Sequence, residues 1–231
     1  MTYAIECQEI TYTWPQSEHC AINIDSFTVE QGERLFIHGA SGSGKSTLLS
    51  VIAGLLTVKN GELKVLGHSF SQMSDRQKDR FRAKHIGFVF QQFNLIPYLS
   101  AQDNISLPAK ISGLQKRLYS TRIRSLMDSL LLEEGLLNQR ADQLSIGQQQ
   151  RVAVARALIN EPEILIADEP TSALDEEAKD EFMDLLLKTQ QRTGSTVIFV
   201  SHDRALMKHF NKHQSMTELN TALPKRGSHV L

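Results

Sequence analysis

The sequence predicts an α/β fold with a parallel-sheet core, an antiparallel β layer near its start and a helical insertion. Two apolar runs, residues 164–168 (ILIAD) and 196–200 (TVIFV), flank a stretch of helical periodicity, which is the alternation of a parallel βαβ unit. Between residues 99 and 160 strand signals vanish, and apolar side chains such as Ile123, Leu126 and Leu130 recur at three and four residues, as a helix buried on one side requires. A glycine-rich stretch at 39–47 (GASGSGKST) follows a short apolar strand and opens a helix.

Taken in order, residues 4–14 alternate loosely and 21–29 more clearly, while 34–38 (RLFIH) is apolar ahead of the glycines; these first forty residues suit an antiparallel layer. Helical spacing over 45–53 ends at Gly54. Strands are expected at 62–66 and 86–90, the second nearly all apolar and therefore buried. Residues 71–85 hold five Lys or Arg against two Asp and read as a solvated helix face. A helix over 176–193 gathers Ala178, Phe182, Leu185 and Leu186 on one face and stops at Gly194. The expected organisation is one domain, in which residues 1–91 and 160–219 form the core and its β layer, 92–159 a helical subdomain and 220–231 a C-terminal tail.

Composition narrows the function. Hydrophobic residues make up 41% and charged residues 22%, with 13 Gly and 6 Pro, which excludes disordered, collagen-like and disulfide-scaffold chains. The formal net charge of −1 gives no basic field for duplex nucleic acid, so no nucleic-acid partner is expected and an acidic ligand must be held locally. Cys7 and Cys20 lack metal-ligand spacing and read as structural thiols of a reducing compartment. No apolar run approaches the roughly 18 residues of a spanning helix, and the first residues carry an acid where a secretory leader needs a basic region. A cytoplasmic location is therefore expected.

Three motifs carry chemistry. In GASGSGKST, Gly39, Gly44, Lys45 and Ser46 satisfy the P-loop spacing, so the backbone from Gly39 through Ala40, Ser41, Gly42 and Ser43 to Thr47 can aim amides at phosphate oxygens. Lys45 would reach the β and γ phosphates, and Ser46 would give its hydroxyl to Mg²⁺. In ILIADEP the strand delivers two acids at its C-terminal edge: Asp168 to position Mg²⁺, and Glu169 to polarise the water that attacks the γ phosphate. In LSIGQQQR, Ser145 can cap a helix whose first amides suit a second anion, explained if that helix end serves the nucleotide of another copy; an ordinary capped helix is the alternative.

With these motifs in this order and spacing, the chain resembles the ATP-binding cassette (ABC) ATPases, P-loop NTPases with ATP and Mg²⁺ as cofactors. The resemblance implies that Trp14, or in second place Tyr12, stacks on adenine, and that Gln91 of FVFQQFNL, rather than Gln92, contacts Mg²⁺ or the attacking water. It further implies that Ser145, Gly147 and Gln148 meet the nucleotide of a second copy, that Asp175 of SALD crosses the interface, and that His202 of FVSHD contacts the γ phosphate. Ile146 stands where the family's signature has its first glycine, and slower closure is expected from it.

The phrases IGFVFQQFNLIP, NISLP and EPTSALD look most like the ATPase subunits of lipoprotein-releasing and macrolide-export systems. That narrower resemblance implies an ATP-dependent homodimer, peripheral on the inner face of the bacterial cell membrane, acting on integral-membrane permease subunits with or without a periplasmic adaptor. Residues 93–99 would meet the permease, although burial within their own subdomain is the alternative. A non-transport ABC ATPase regulating a cell-envelope or division process is the alternative function.

Overall fold

The computed structural model describes residues 2–172, 174 and 176–222. In chain order the strands are β1 (Tyr3–Thr13), β2 (Cys20–Glu30), β3 (Arg34–His38), β4 (Asn60–Val65), β5 (His68–Ser69), β6 (Ile86–Val89), β7 (Ile164–Asp168), β8 (Thr196–Val200) and β9 (Lys212–Ser215). The helices are α1 (Lys45–Ile52), α2 (Asp75–His85), α3 (Ala101–Ser112), α4 (Lys116–Ser129), α5 (Ile146–Leu158), α6 (Glu176–Thr193) and α7 (Met216–Leu219). The chain divides into two compact units, one of residues 1–74 and 198–231 and one of residues 75–197, with the division falling inside β8.

In the first unit an antiparallel sheet runs β2-β1-β4-β5. Its register sets Ile5 against Val29, Cys7 against Phe27 and Ile10 against Ile24, and all six side chains are buried; the period-two alternation of Ile5 and Cys7 shifts phase at Glu9, φ 50°, before Ile10. One expectation is corrected here: Arg34–His38 does not join this layer. As β3 it pairs in parallel with β9, Leu35 to Lys212 through His38 to Ser215. The reason lies in its side chains, because Leu35, Phe36 and Ile37 are all fully buried, so the strand is covered on both faces, as parallel strands are and half-solvated layers are not. Phe36, Phe199 and Phe210 pack together there at centroid distances of 5.2–6.0 Å. β9 itself reads KHQS and has no apolar pattern; Lys212 Nζ fixes it by donating to Thr28 O and Glu33 Oε2, each at 3.1 Å.

In the second unit β6 and β7 pair in parallel, from Ile86 with Ile164 to Val89 with Ala167, and Thr196 at the start of β8 donates to Glu163 O at 2.8 Å. Helix α5 lies so close to β6 that a Cβ on Gly87 would sit 2.3 Å from Ala157 O, a distance only glycine tolerates. The expected helical stretch comprises α3, α4 and α5, the last two joined through 3₁₀ turns, with Ile123, Leu126 and Leu130 buried as their spacing requires. On α6, Phe182 and Leu186 are buried as expected, joined by Met183 and Thr189. Ala178 and Leu185 are only half-buried and line a cavity of about 310 Å³ between α5 and α6. On α2 the basic residues lie largely exposed, apart from Lys78. Among the described residues no helix is long and apolar enough to cross a membrane.

Candidate functional site

The loop from Gly39 to Gly44 leaves the end of β3 and enters α1. Gly44 caps that helix with φ 92°, a left-handed conformation that glycine adopts without steric cost. The first turn of α1 contains no acidic side chain, so none of its own residues sets a carboxylate against the partial positive charge of its amides. Lys45 is buried and its ammonium turns back across its own loop, donating to Gly39 O at 3.0 Å and Ala40 O at 3.1 Å. Ser41, Gly42 and Ser46 are exposed, whereas the Ser43 hydroxyl is buried and has no hydrogen-bond partner among the described residues.

Other predicted residues belong to the same unit as this loop. Ser201, just past β8, donates its amide to Ile37 O at 3.3 Å, so exposed His202 follows at the strand end from which Gly39 departs. His38, immediately before Gly39, has its imidazole held below the ordinary range by burial and then by the Arg204 charge, and is uncharged at neutral pH. Trp14 lies past the end of β1, 46% exposed, with its ring edge-on to Tyr12 at 5.2 Å. It is therefore not a core aromatic.

In the second unit the β6–β7 register gathers the other predicted residues at one sheet edge. Val89 is opposite Ala167, so Gln91 emerges two residues beyond one member of that pair while Asp168 and Glu169 follow the other. Glu169 has φ 46°, which ends the strand there, and its carbonyl accepts the Ser172 amide at 3.2 Å. Gln91 and Gln92 are both exposed. Buried Gln150 of α5 donates to Pro170 O at 3.3 Å, tying the segment after the two acids to that helix.

At the start of α5, Ser145 and Gln148 form a reciprocal capping box: Ser145 Oγ accepts the Gln148 amide at 3.3 Å, and Gln148 Oε1 accepts the Ser145 amide at 2.9 Å. Ile146 is 62% exposed, and a Cβ on Gly147 would have nothing within 4 Å, so this helix end is open to an approaching surface. Within residues 93–99, Phe93 is buried, Tyr98 is 69% exposed, and the remainder lies between these limits or exposed. Asp175 lies outside the described residues.

Three residues that the sequence reading did not single out organise these loops. Asn104, fully buried on α3, accepts the Ile96 amide at 2.8 Å and donates to Ile96 O and Ser100 O, each at 3.1 Å. Arg156 of α5 donates to two carbonyls just after Gln92. Asn220 is also fully buried and donates to Ser43 O at 3.2 Å. The expected tail 220–231 thus begins with packed residues, Thr221 donating its amide to Asn23 O, while 223–231 lie outside the described residues.

A family model described as "ABC transporter" matches residues 22–172. The chain is 42% identical over 194 residues to the probable syringafactin export ATP-binding/permease protein SyfD of Pseudomonas syringae, covering 84% of this chain and only 29% of that protein's length. It is 41% identical over 180 residues to the lipoprotein-releasing system ATP-binding protein LolD of Bacteroides fragilis, covering 78% of this chain and 83% of that one. Among solved structures, the dimeric post-hydrolysis state of the ATP-binding cassette MJ0796, bound to ADP and Pi, from Methanocaldococcus jannaschii superposes with a TM-score of 0.85. That match has 35% identity over 96% of this chain and 97% of that one.

Proposed function

The chain belongs to the ABC transporter family, and we propose that it is the ATP-binding and ATP-hydrolysing subunit of a bacterial ABC transporter, two copies closing around two MgATP to drive integral-membrane permease subunits. The observation that carries this reading is the loop geometry: a glycine-capped helix start with no acidic residue in its first turn, crossed by a buried lysine. A γ phosphate with three anionic oxygens is a stronger acceptor for an ammonium than a neutral carbonyl, so Lys45 has a reason to turn towards nucleotide.

In this reading the amides of Gly39, Ala40, Ser41, Gly42, Ser43, Gly44, Lys45, Ser46 and Thr47 cradle the phosphates, and exposed Trp14 stacks on adenine. Ser46, Gln91 and Asp168 would hold Mg²⁺, their hydroxyl, amide and carboxylate oxygens being the hard donors that this cation takes, and the chemistry supplied there would be neutralisation of phosphate charge. Glu169 orients the attacking water and accepts its proton, and His202 donates to the γ phosphate. Ser145, Gly147 and Gln148, at the open start of α5, reach the nucleotide held by the second copy, and Asp175 crosses between copies. The dimeric relative supports this pairing, and the named export and lipoprotein-release relatives support transport over the regulatory alternative. Peripheral attachment at the inner face of the membrane follows from the permease partners.

The test is purification of the Glu169→Gln protein with ATP from detergent-solubilised host membranes. A stoichiometric partner with about four spanning helices supports the transporter reading, whereas a soluble dimer alone, or a cytoplasmic partner alone, removes it. Unchanged hydrolysis in this variant takes Glu169 out of the mechanism, and wild-type ATP affinity in Lys45→Ala refutes the phosphate cradle.

A further inference from the structure

The loop that leaves β6 turns sharply after Gln91 and Gln92. Phe93 and Asn94 are consecutive non-glycine residues with φ of 58° and 48°, a left-handed conformation that sets Cβ against the carbonyl oxygen and persists only where the surroundings impose it. Phe93 donates its amide to Phe90 O at 3.0 Å, and Asn94 donates to Gln92 O at 2.6 Å, which closes the turn on itself. The Phe93 ring is buried and anchors it.

One side chain takes the two carbonyls that the turn presents. Arg156 Nη2 donates to Phe93 O at 2.5 Å, and Nη1 donates to Asn94 O at 2.6 Å. A planar guanidinium is suited to two adjacent acceptors in a way that an ammonium is not. Burial pushes this guanidinium down to about 10, so it stays charged at neutral pH, and among the described residues it forms no ion pair. A half-buried cation satisfied by two carbonyls gains no carboxylate partner to offset its partial desolvation, so its presence points to geometry rather than to stability.

Arg156 also sits near the end of α5 opposite to Ser145 and Gly147. We infer that Arg156 is a positioning residue: its fork locks the Phe93–Asn94 turn, and through that turn it sets Gln91 and ties it to the helix that begins at Ser145. The catalytic half of this inference rests on the role proposed above for Gln91. The structural half, that the fork holds the turn, does not.

The experiment compares wild type, Arg156→Gln, Arg156→Lys, Gln91→Ala and the Gln91→Ala/Arg156→Gln double variant in the full chain. Hydrogen exchange should speed up about tenfold or more at the Phe93 and Asn94 amides in Arg156→Gln, without change in the peptide carrying 39–47. Lysine restores the charge but not the fork, and so should rescue neither exchange nor turnover fully. The kcat for ATP should fall about 10- to 100-fold with KM nearly unchanged, the signature of misplacement rather than lost binding. In the Gln91→Ala background the same substitution should cost little more. Wild-type exchange at residues 93–94 in both Arg156 variants overturns the clamp, and an undiminished kcat loss in the Gln91→Ala background overturns the route through Gln91. Wild-type turnover in Gln91→Ala alone removes the role of Gln91 and the catalytic half with it, while the exchange data still decide the clamp. If Arg156→Gln does not fold, Arg156→Lys carries both readouts.

Discussion

Replacing Asn220 by alanine should loosen the phosphate loop from behind. The Asn220 amide donates to Ala21 O at 2.9 Å and Ser43 O at 3.2 Å, and its oxygen accepts the Asn23 amide at 2.9 Å, all around a fully buried side chain. At roughly 1 kcal/mol net per bond, with a further penalty for partners left unsatisfied, the loss is about 2–4 kcal/mol. For a chain of this size that corresponds to a fall in Tm of about 5–15 °C. Because Ser43 belongs to the phosphate loop, the extra Tm conferred by MgATP should shrink as well, reflecting weaker nucleotide affinity. Differential scanning fluorimetry with and without MgATP measures both. Asn220→Asp adds a sign test, since a carboxylate there would face two carbonyl oxygens. Its folded-state pKa would be raised, so stability would be retained below the unfolded value and lost as pH rises through the folded one. This variant should therefore approach wild type as pH falls towards about 4, near the unfolded carboxyl value. A Tm drop below about 2 °C in Asn220→Ala, with an unchanged MgATP increment, would refute the reasoning.

Three further outcomes follow from other contacts. Gly87→Ala should lose about 1–3 kcal/mol or more, because its Cβ would meet the Ala157 backbone oxygen at 2.3 Å; urea unfolding with an unchanged midpoint contradicts this. Hydrogen bonds from Ser100 and Lys110 hold the Asp103 carboxyl below the ordinary carboxylate range, a contribution present above the unfolded pKa and lost as pH falls through the folded one. Asp103→Asn should thus be less stable than wild type at neutral pH by an amount that begins to shrink below about pH 4, near the unfolded carboxyl value, and disappears once pH falls below the folded one; a pH-independent difference in thermal melts contradicts the assignment. Ile146→Gly should raise MgATP-driven dimerisation, measured by analytical ultracentrifugation, because it removes an exposed branched side chain beside open Gly147; unchanged association shows that Ile146 does not impede closure.

What the sequence made legible has a common physical origin. β7, α6 and β8 were readable to the residue because Ile164–Asp168 and Thr196–Val200 are continuous apolar runs and Gly194 ends the helix between them. The phosphate loop was readable because its chemistry depends on local spacing. By contrast, RLFIH pairs with β9 rather than joining the antiparallel layer, since a five-residue apolar strand states that it is buried but not which neighbour covers it. KHQS gave no strand signal, because β9 is recruited by pairing with β3 and by Lys212 rather than by burying apolar side chains of its own.

The residues that escaped the sequence reading share one mode of action. Asn104, Arg156 and Asn220 each use a side chain to satisfy backbone groups in a loop that carries predicted site residues or follows them closely. Irregular loops cannot satisfy their own amides and carbonyls as helices and sheets do, so a loop held in one conformation needs donors and acceptors from elsewhere in the chain. Motif spacing specifies the chemistry of such a loop, whereas its rigidity depends on partners such as Asn220, 177 residues from Ser43 in sequence. Substitutions at these three positions should therefore alter turnover or nucleotide response without changing any motif residue, which separates holding the loops from doing the chemistry.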